Sequence, residues 1–354
     1  MPVYKGENGK YYASFYYMRW DGKRVRKKKE GFKTKKEAML YERDFLLDQE
    51  GKTELTFDKL LEKYLEDSKA RVKPTTYENN EFIINKNIRP YFKDLKVKDI
   101  EAITIRTWQN TLLLSEKNYS QTYLKTINNR LSAIFNYAVQ FHKLEKNPCK
   151  LSGSMGKKNA NSMKFWTKDE YDIFIKGIED KIMSKVIYDI LFYTGIRVGE
   201  LLALTLNDFN FETKVMSVTK TYAKLKGGKD LIQEPKTPKS RREIGIPETL
   251  CDEVKKFAEL RYDYKPNERL FIATKHYLHH EMNRGSKNTG IKRIRIHDIR
   301  HSHASLLIEM GVSPIAIAER LGHDDIQTTL QTYSHLYPNK QEEIAEKLEK
   351  YMTK

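Results

Sequence analysis

In the last quarter of the chain, His297-Asp-Ile-Arg300, Leu321-Gly-His323 and Tyr333 fall within 37 residues, and Thr194-Gly-Ile-Arg197-Val-Gly-Glu200 lies upstream. Two arginines from separate segments, several imidazoles and one late phenol form a set suited to attack on a phosphodiester. The pentacoordinate transition state of that reaction gathers negative charge on its non-bridging oxygens. A guanidinium stays charged and offers a planar fork able to hold two oxygens at once. Two of them can bracket the phosphate before the charge develops, each on the scale of the ~3–4 kcal/mol lost with an oxyanion donor. Arg197 also follows a glycine near an expected helix start, where free backbone N–H groups favour an anion. Taken alone it would pass for a surface arginine, since the chain has 65 Lys and Arg.

Tyr333 is one of 22 tyrosines and stands ten residues after His323. A phenol with a pKa of about 10 is a poor nucleophile at neutral pH. It needs nearby cations and a proton acceptor, which the arginines and His297 can supply. Attack would leave a phosphotyrosine and a free DNA hydroxyl. The bond energy stays in the ester, so neither ATP nor a metal is expected as a cofactor. The leaving hydroxyl needs a general acid. Lys236 is the candidate, in Glu234-Pro-Lys-Thr-Pro-Lys-Ser240-Arg-Arg, with Lys239 as the alternative and a phosphate-contacting lysine as the plainer reading. His297 and Arg300 stand at i, i+3 on the first turn of an expected helix and so share a side. His297 and His301 have the i, i+4 spacing of a metal pair, but the Glu of HExxH and any nearby cysteine are missing. His301 and His303 read as packing or hydrogen-bonding residues.

The net charge of +17 points to a polyanionic partner. Residues 1–36 hold twelve Lys and Arg against three acids, interleaved with Tyr11, Tyr12, Phe15, Tyr16, Tyr17 and Trp20. That mixture reads as a folded nucleic-acid-binding module, not as a basic amphipathic helix on a membrane. No apolar run approaches the ~20 residues of a membrane helix, and the first residues lack the apolar core of a signal peptide. Cys149 and Cys251 are the two cysteines, far apart and outside any CxxC. A disulfide framework is not expected, and a reducing cytoplasm is the expected compartment.

The elements that must position these groups fall into a multidomain, mainly α arrangement. Residues 1–52 read as a small sheet backed by one helix: β-formers from Lys10 to Trp20, a turn at Asp21-Gly22, a return strand to Phe32, and a capping box Thr34-Lys-Lys-Glu37. A ribbon carrying Arg24, Arg26, Lys27, Lys28 and Lys29 could lie in a DNA groove. Residues 54–149 read as all-helical, with Phe57, Leu60, Leu61, Tyr64 and Leu65 at period 3.6 and Ser120 capping a long helix. Lys125, Asn128, Asn129 and Arg130 lie on or beside its polar face, within reach of DNA. Residues 150–164 lack periodicity and read as a linker. Residues 165–354 open on a second capping box, Thr167-Lys-Asp-Glu170. Strands are expected over Phe211–Tyr222 and Ile232–Pro247, then helices to Glu319 and a last one near Gln341–Tyr351.

Together, Thr194-Gly-Ile-Arg197-Val-Gly-Glu200, His297-Asp-Ile-Arg300-His301 and Leu321-Gly-His323 with Tyr333 resemble the signature of the tyrosine recombinases of the lambda-integrase class. The likeness is strongest over 165–337 and moderate over 54–148. Residues 1–50 are similar to the arm-site-binding domain of phage and conjugative-transposon integrases, a three-stranded sheet with a helix. The resemblance implies an all-helical core-site-binding domain and an α+β catalytic domain. It implies Tyr333 as nucleophile, Arg197 and Arg300 as the phosphate clamp, and Lys236 as donor to the leaving 5′-hydroxyl. His297 would serve in proton transfer, His323 would hydrogen-bond the phosphate, and Glu200 would support the site. The implied partners are double-stranded attachment sites of core and arm type, a homotetramer on DNA, an excisionase and a host DNA-bending protein. The helix after Pro338 would dock on a neighbouring protomer. A type IB topoisomerase shares the chemistry, and a non-catalytic DNA-binding regulator would share the charge; both stand as alternatives.

Overall fold

The computed structural model describes residues 3–6, 9–19, 23–50, 55–157, 164–235, 238–333, 348, 349 and 352. It divides into two compact units, Met1–Asn161 and Ser162–Lys354.

The first unit begins with an antiparallel sheet of order β1-β2-β3, formed by β1 (Val3–Lys5), β2 (Tyr11–Met18) and β3 (Arg24–Phe32). Helix α1 (Lys35–Glu50) follows. The Thr34 hydroxyl accepts the Glu37 N–H at 3.2 Å, and the Glu37 carboxylate reaches back to the Lys33 N–H at 2.9 Å, so the start of α1 is held from both sides. Ala13, Phe15 and Ala38 form the small core, with Tyr41 and Phe45 packed against it. The expected turn at Asp21-Gly22 lies outside the described residues.

The pleat splits the basic residues of β3 between two faces. Arg26 donates to Ser14 at 2.9 Å, while Arg24 lies over the Tyr16 ring at 4.7 Å and Lys28 over Tyr12 at 4.6 Å. Lys27 instead lies over Phe45 of α1 at 4.0 Å, and Lys29 pairs with core-facing Ala13. The five do not form one groove-facing row. Arg24, Arg26 and Lys28 share the face turned from α1, and Lys27 and Lys29 belong to the other.

The rest of this unit is helical: α2 (Phe57–Arg71), α3 (Pro74–Asn87), α4 (Arg89–Phe92), α5 (Ala102–Leu113), α6 (Gln121–Phe141) and α7 (Pro148–Ser152). Thr56 and Ser120 cap α2 and α6 through their hydroxyls. The apolar stripes meet in a core that includes Phe57, Leu60, Phe92, Trp108, Ile127 and Phe135. The stretch expected to be linker from residue 150 onward is in part built into this core. Residues 150–152 complete α7, Met155 is buried, and the Gln109 amide donates to the Gly153 carbonyl at 2.9 Å. Lys125 donates to Ser154 at 2.7 Å, so that ammonium, expected at DNA, is engaged by its own chain. Asn128 is buried and accepts from Gln109. Arg130 is half-buried, with no hydrogen-bond partner for its Nε.

The second unit runs α8 (Lys168–Lys176), α9 (Ile182–Thr194), α10 (Val198–Leu201), β4 (Phe209–Asn210), β5 (Val215–Val218), β6 (Thr221–Lys224), β7 (Asp230–Gln233), β8 (Arg242–Gly245), α11 (Glu248–Glu259), α12 (Lys275–Thr289), α13 (Asp298–Glu309), α14 (Pro314–Leu321) and α15 (Ile326–Tyr333). The Thr167–Glu170 capping box is present in full. One antiparallel sheet has the order β4-β5-β8 and a second pairs β6 with β7. The strand expected from Phe211 begins later. The Asn210 side chain accepts the N–H groups of Glu212 and Thr213 at 3.1 and 3.0 Å, an Asx turn that interrupts it. Gly227 and Gly228 carry the β6–β7 turn at φ +79° and +84°. A large core centred on α9 contains Phe174, Tyr188, Phe192, Leu201 and Ile244. A smaller cluster joins Ala304, Ile308, Ile317, Leu321 and Tyr333 and fixes α13, α14 and α15 to each other. The helix expected over Gln341–Tyr351 lies largely outside the described residues.

Candidate active site

Helix α14 ends at Leu321 because Gly322 takes the left-handed conformation, φ +65°. A helix end leaves backbone carbonyls without partners and carries the negative end of the helix dipole. Three guanidiniums meet that need. Arg242 Nε donates to the Arg320 carbonyl at 2.8 Å, Arg300 Nη2 to Leu321 at 2.6 Å, and Arg197 Nη2 to Gly322 at 3.4 Å. Residues from α9–α10, β8 and α13 thus converge on three successive carbonyls.

Each arginine has further anchors. Arg300 is buried and also donates to the Gly195 carbonyl at 2.8 Å. Gly195 ends α9 at φ +65°, and a Cβ there would stand 2.6 Å from His303. The Glu200 carboxylate accepts Arg197 Nη1 at 2.8 Å and Arg242 Nη2 at 2.9 Å. Burial pushes the Glu200 pKa up, but Arg242 and Arg197 outweigh it and hold the carboxyl below its ordinary range. The expected backbone anion site at Arg197 is not free. Helix α10 spans a single turn, and Glu200 already accepts the Arg197 N–H at 2.9 Å.

Three cations face one carboxylate here, so the pocket carries an excess of positive charge. Arg300 shows the strain: burial, then Arg197 and Arg242, push its pKa down to about 9, and it remains charged at pH 7. The imidazoles respond by staying neutral. His323 is pushed down to about 4 by burial and by Arg300, Arg197 and Arg242. His301 is also pushed to about 4, and His297 is lowered, burial leading in each case. His323 Nδ1 lies 2.7 Å from the buried Thr329 hydroxyl. With that hydroxyl donating, Nε2 carries the hydrogen and is available to a phosphate oxygen.

His297 stands at the N-cap position of α13 without a side-chain capping bond, and the start of the helix is fixed by Asp298 accepting the Arg295 N–H at 3.0 Å. The ring of His297 lies edge-on to His301, 5.5 Å between centroids. Tyr333 closes α15 and is 1% exposed. Its hydroxyl lies 2.7 Å from His301 Nδ1, so this histidine, read from the sequence as packing or hydrogen bonding, holds the phenol. Burial pushes the phenol up to about 12, and Arg300 pulls against that. Tyr333 is thus covered in the protein without DNA.

An open cavity of about 530 Å³ borders these groups, lined among others by Lys239, Arg241, Arg242, Gly322 and His323. Lys239 donates to the Asp324 carbonyl at 2.7 Å. Lys236 lies outside the described residues. Sequence reasoning therefore brought Arg197, Glu200, His297, Arg300, His323 and Tyr333 to one region, and passed over Arg242 and Thr329. Arg320 was also missed; it donates to His303 at 3.0 Å and sits inside α14, where its spacing carried no signal.

Comparison with known proteins agrees with this geometry. The phage integrase family matches residues 164–340, its N-terminal SAM-like domain 56–113, and an Arm DNA-binding domain 2–49. The ICEBs1 integrase of Bacillus subtilis (strain 168) is 33% identical over 99% of this chain and 99% of its own length. Among solved structures, the Tn1549 transposon integrase in complex with transposon right end DNA aligns with a TM-score of 0.67 and 21% identity, covering 85% of this chain and all of that one. A lambda integrase tetramer bound to a Holliday junction aligns at 0.56 and 19% identity, covering 92% and 96%. The chain belongs to the phage integrase family: it is a tyrosine recombinase of a mobile element, an enzyme that cuts and rejoins DNA at specific sites.

Proposed function

We propose that Tyr333 is the nucleophile and that Arg197 and Arg300 bracket the scissile phosphate, each held by one terminal nitrogen on the end of α14. His323 donates to a non-bridging oxygen, oriented by Thr329. Glu200 and Arg242 keep Arg197 in place. Attack joins the phenolic oxygen to phosphorus and releases a 5′-hydroxyl, which takes its proton from Lys236, with Lys239 as the alternative. His297 serves in proton transfer. The observation that carries this reading is the seating of three guanidiniums on carbonyls 320–322, directly ahead of the helix that bears Tyr333.

Around this centre, residues 1–52 bind arm-type sites, 54–149 bind core-type sites, and 165–354 cut and rejoin. The open face of the sheet, with Arg24, Arg26 and Lys28 among aromatic rings, supports the first assignment. The Tn1549 complex with transposon right end DNA supports DNA as the partner, and the lambda tetramer on a Holliday junction supports action by four protomers on paired sites. An excisionase and a host DNA-bending protein would set the direction of the exchange, and the chemistry proceeds without ATP or metal. No helix among the described residues is long and apolar enough to cross a membrane, in keeping with action on DNA inside the cell.

The test uses nicked duplexes drawn from the DNA that flanks the coding region. The full chain should form an SDS-resistant adduct, and Tyr333→Phe should abolish it while leaving DNA binding intact. An adduct that persists in Tyr333→Phe refutes the assignment. Relaxation of supercoils by a monomer without sequence preference would favour the topoisomerase reading.

A further inference from the structure

The geometry points to His301 as the group that takes the proton from Tyr333 when its oxygen attacks phosphorus. This rests on the assignment of Tyr333 as nucleophile. The contact that carries it is the 2.7 Å approach of His301 Nδ1 to the Tyr333 hydroxyl, inside the range required of a general base.

Several surroundings fit that role. The phenol is buried and its pKa stands near 12, so at neutral pH almost none of it is ionised and attack needs an acceptor. His301 is neutral at the same pH, with a lone pair free for a hydrogen bond. The groups facing His301 come from three places: His297, Asp298 and Arg300 on its own helix, Arg295 just before it, and His323 and Tyr333 from beyond α14. His297, Arg300 and Arg295 lower its proton affinity and Asp298 raises it. A bound phosphodiester brings one negative charge into this cationic pocket and offsets the arginines. The imidazole therefore becomes more basic when the substrate arrives. His297 lies edge-on to His301, 5.5 Å between ring centroids, and so bears on the proton affinity of that imidazole.

The step balances. The oxygen of Tyr333 bonds to phosphorus, the bond from phosphorus to O5′ breaks, and the phenolic proton passes to His301 Nδ1. The departing O5′ receives a separate proton from the lysine of the β6–β8 region. On rejoining, the imidazolium returns its proton to the phenolic oxygen as that bond breaks.

The experiment compares the full-length protein with His301→Asn on two nicked duplexes, one natural and one with sulfur in the 5′-bridging position. Asparagine places an oxygen near the site of Nδ1 that can accept a hydrogen bond but cannot take up the proton. Adduct formation by His301→Asn should fall about 10²–10⁴-fold on both duplexes, because a better leaving group does not relieve the need for a base. Lys236→Ala, by contrast, should recover on the sulfur duplex. The His301→Asn rate should also climb about tenfold per pH unit between pH 6 and 9, as the phenol must ionise unaided, where the unaltered protein is level. In His301→Ala, added imidazole should restore adduct in proportion to its free-base form. Rates within threefold of the unaltered protein with the same pH profile, faster cleavage, or no rescue by imidazole in a folded His301→Ala protein would overturn the inference. Tyr333→Phe in the same assay separates the two readings: if it still forms adduct, the nucleophile is wrong, and if it does not while His301→Asn is unimpaired, only His301 is.

Discussion

Arg242 is the clearest case of a side chain whose importance rests on shape as well as charge. It spans from the Arg320 carbonyl to the Glu200 carboxylate and also donates to the Ser240 carbonyl at 3.0 Å. Lysine keeps the charge but lacks the planar fork that reaches several acceptors at once. Arg242→Lys should therefore bind DNA within a few-fold of the unaltered protein, yet lose about 10- to 100-fold in single-turnover cleavage. Charged hydrogen bonds of about 1.5–3 kcal/mol set that scale. Equal cleavage rates would mean Arg197 holds its place without it. The residues proposed to meet substrate were legible because their chemistry restricts their type: a clamp calls for guanidinium, an attack for a hydroxyl. Arg242 was not, since one arginine in a run of basic residues looks like any other until β8 is seen to turn it inward. Thr329 was hidden for a similar reason. Its partner is six residues back and reached only because α15 folds against α14.

Among the elements, the N-terminal sheet yields a test that depends on pleat parity. The triple variant Arg24→Ala, Arg26→Ala, Lys28→Ala should weaken binding to an arm-type duplex and flatten its salt dependence by roughly 0.9 per lost phosphate contact. Lys27→Ala with Lys29→Ala should change that slope little, because those residues belong to the face turned toward α1. Titrations across a salt series decide it, and equal slopes would place DNA elsewhere. Helices were the best-read elements here: capping hydroxyls at Thr34, Thr167 and Ser120 coincide with real starts, and apolar stripes coincide with cores. Two kinds of element escaped. The strand near Phe211 is cut by a turn whose signal is a single asparagine, Asn210, followed by Lys214 at φ +55°. The segment after α7 has no period, yet Met155 is buried and a Cβ on Gly156 would come within 2.1 Å of the Gln121 carbonyl. Irregular chain packed closely on a helix leaves no pattern for periodicity to find.

For the molecule as a whole, the neutral imidazoles of the catalytic unit set a pH limit. His301 and His323 have folded pKa values near 4 and His303 near 3, all pushed down first by burial, against about 6.5 for a free imidazole. Between pH 6.5 and 4 the unfolded chain binds protons that the folded one refuses, so stability falls as the pH drops through that window. Calorimetry should show a level Tm from pH 6.5 to 8 and a fall of several degrees by pH 4.5. A level profile down to pH 4.5 would mean the rings are hydrated. Carboxylates held low by their partners, such as Glu281 near 2, lose their contribution only in more acid solution, so the two effects separate. The carbonyls of 320–322 seat the cations, and α15, the next helix, ends on the phenol. A displacement of that turn therefore carries both reacting partners together. Substitutions in the regions proposed to recognise DNA leave the mutual alignment of those partners untouched. Target preference can then drift between descendants of the element while bond-making geometry is inherited whole.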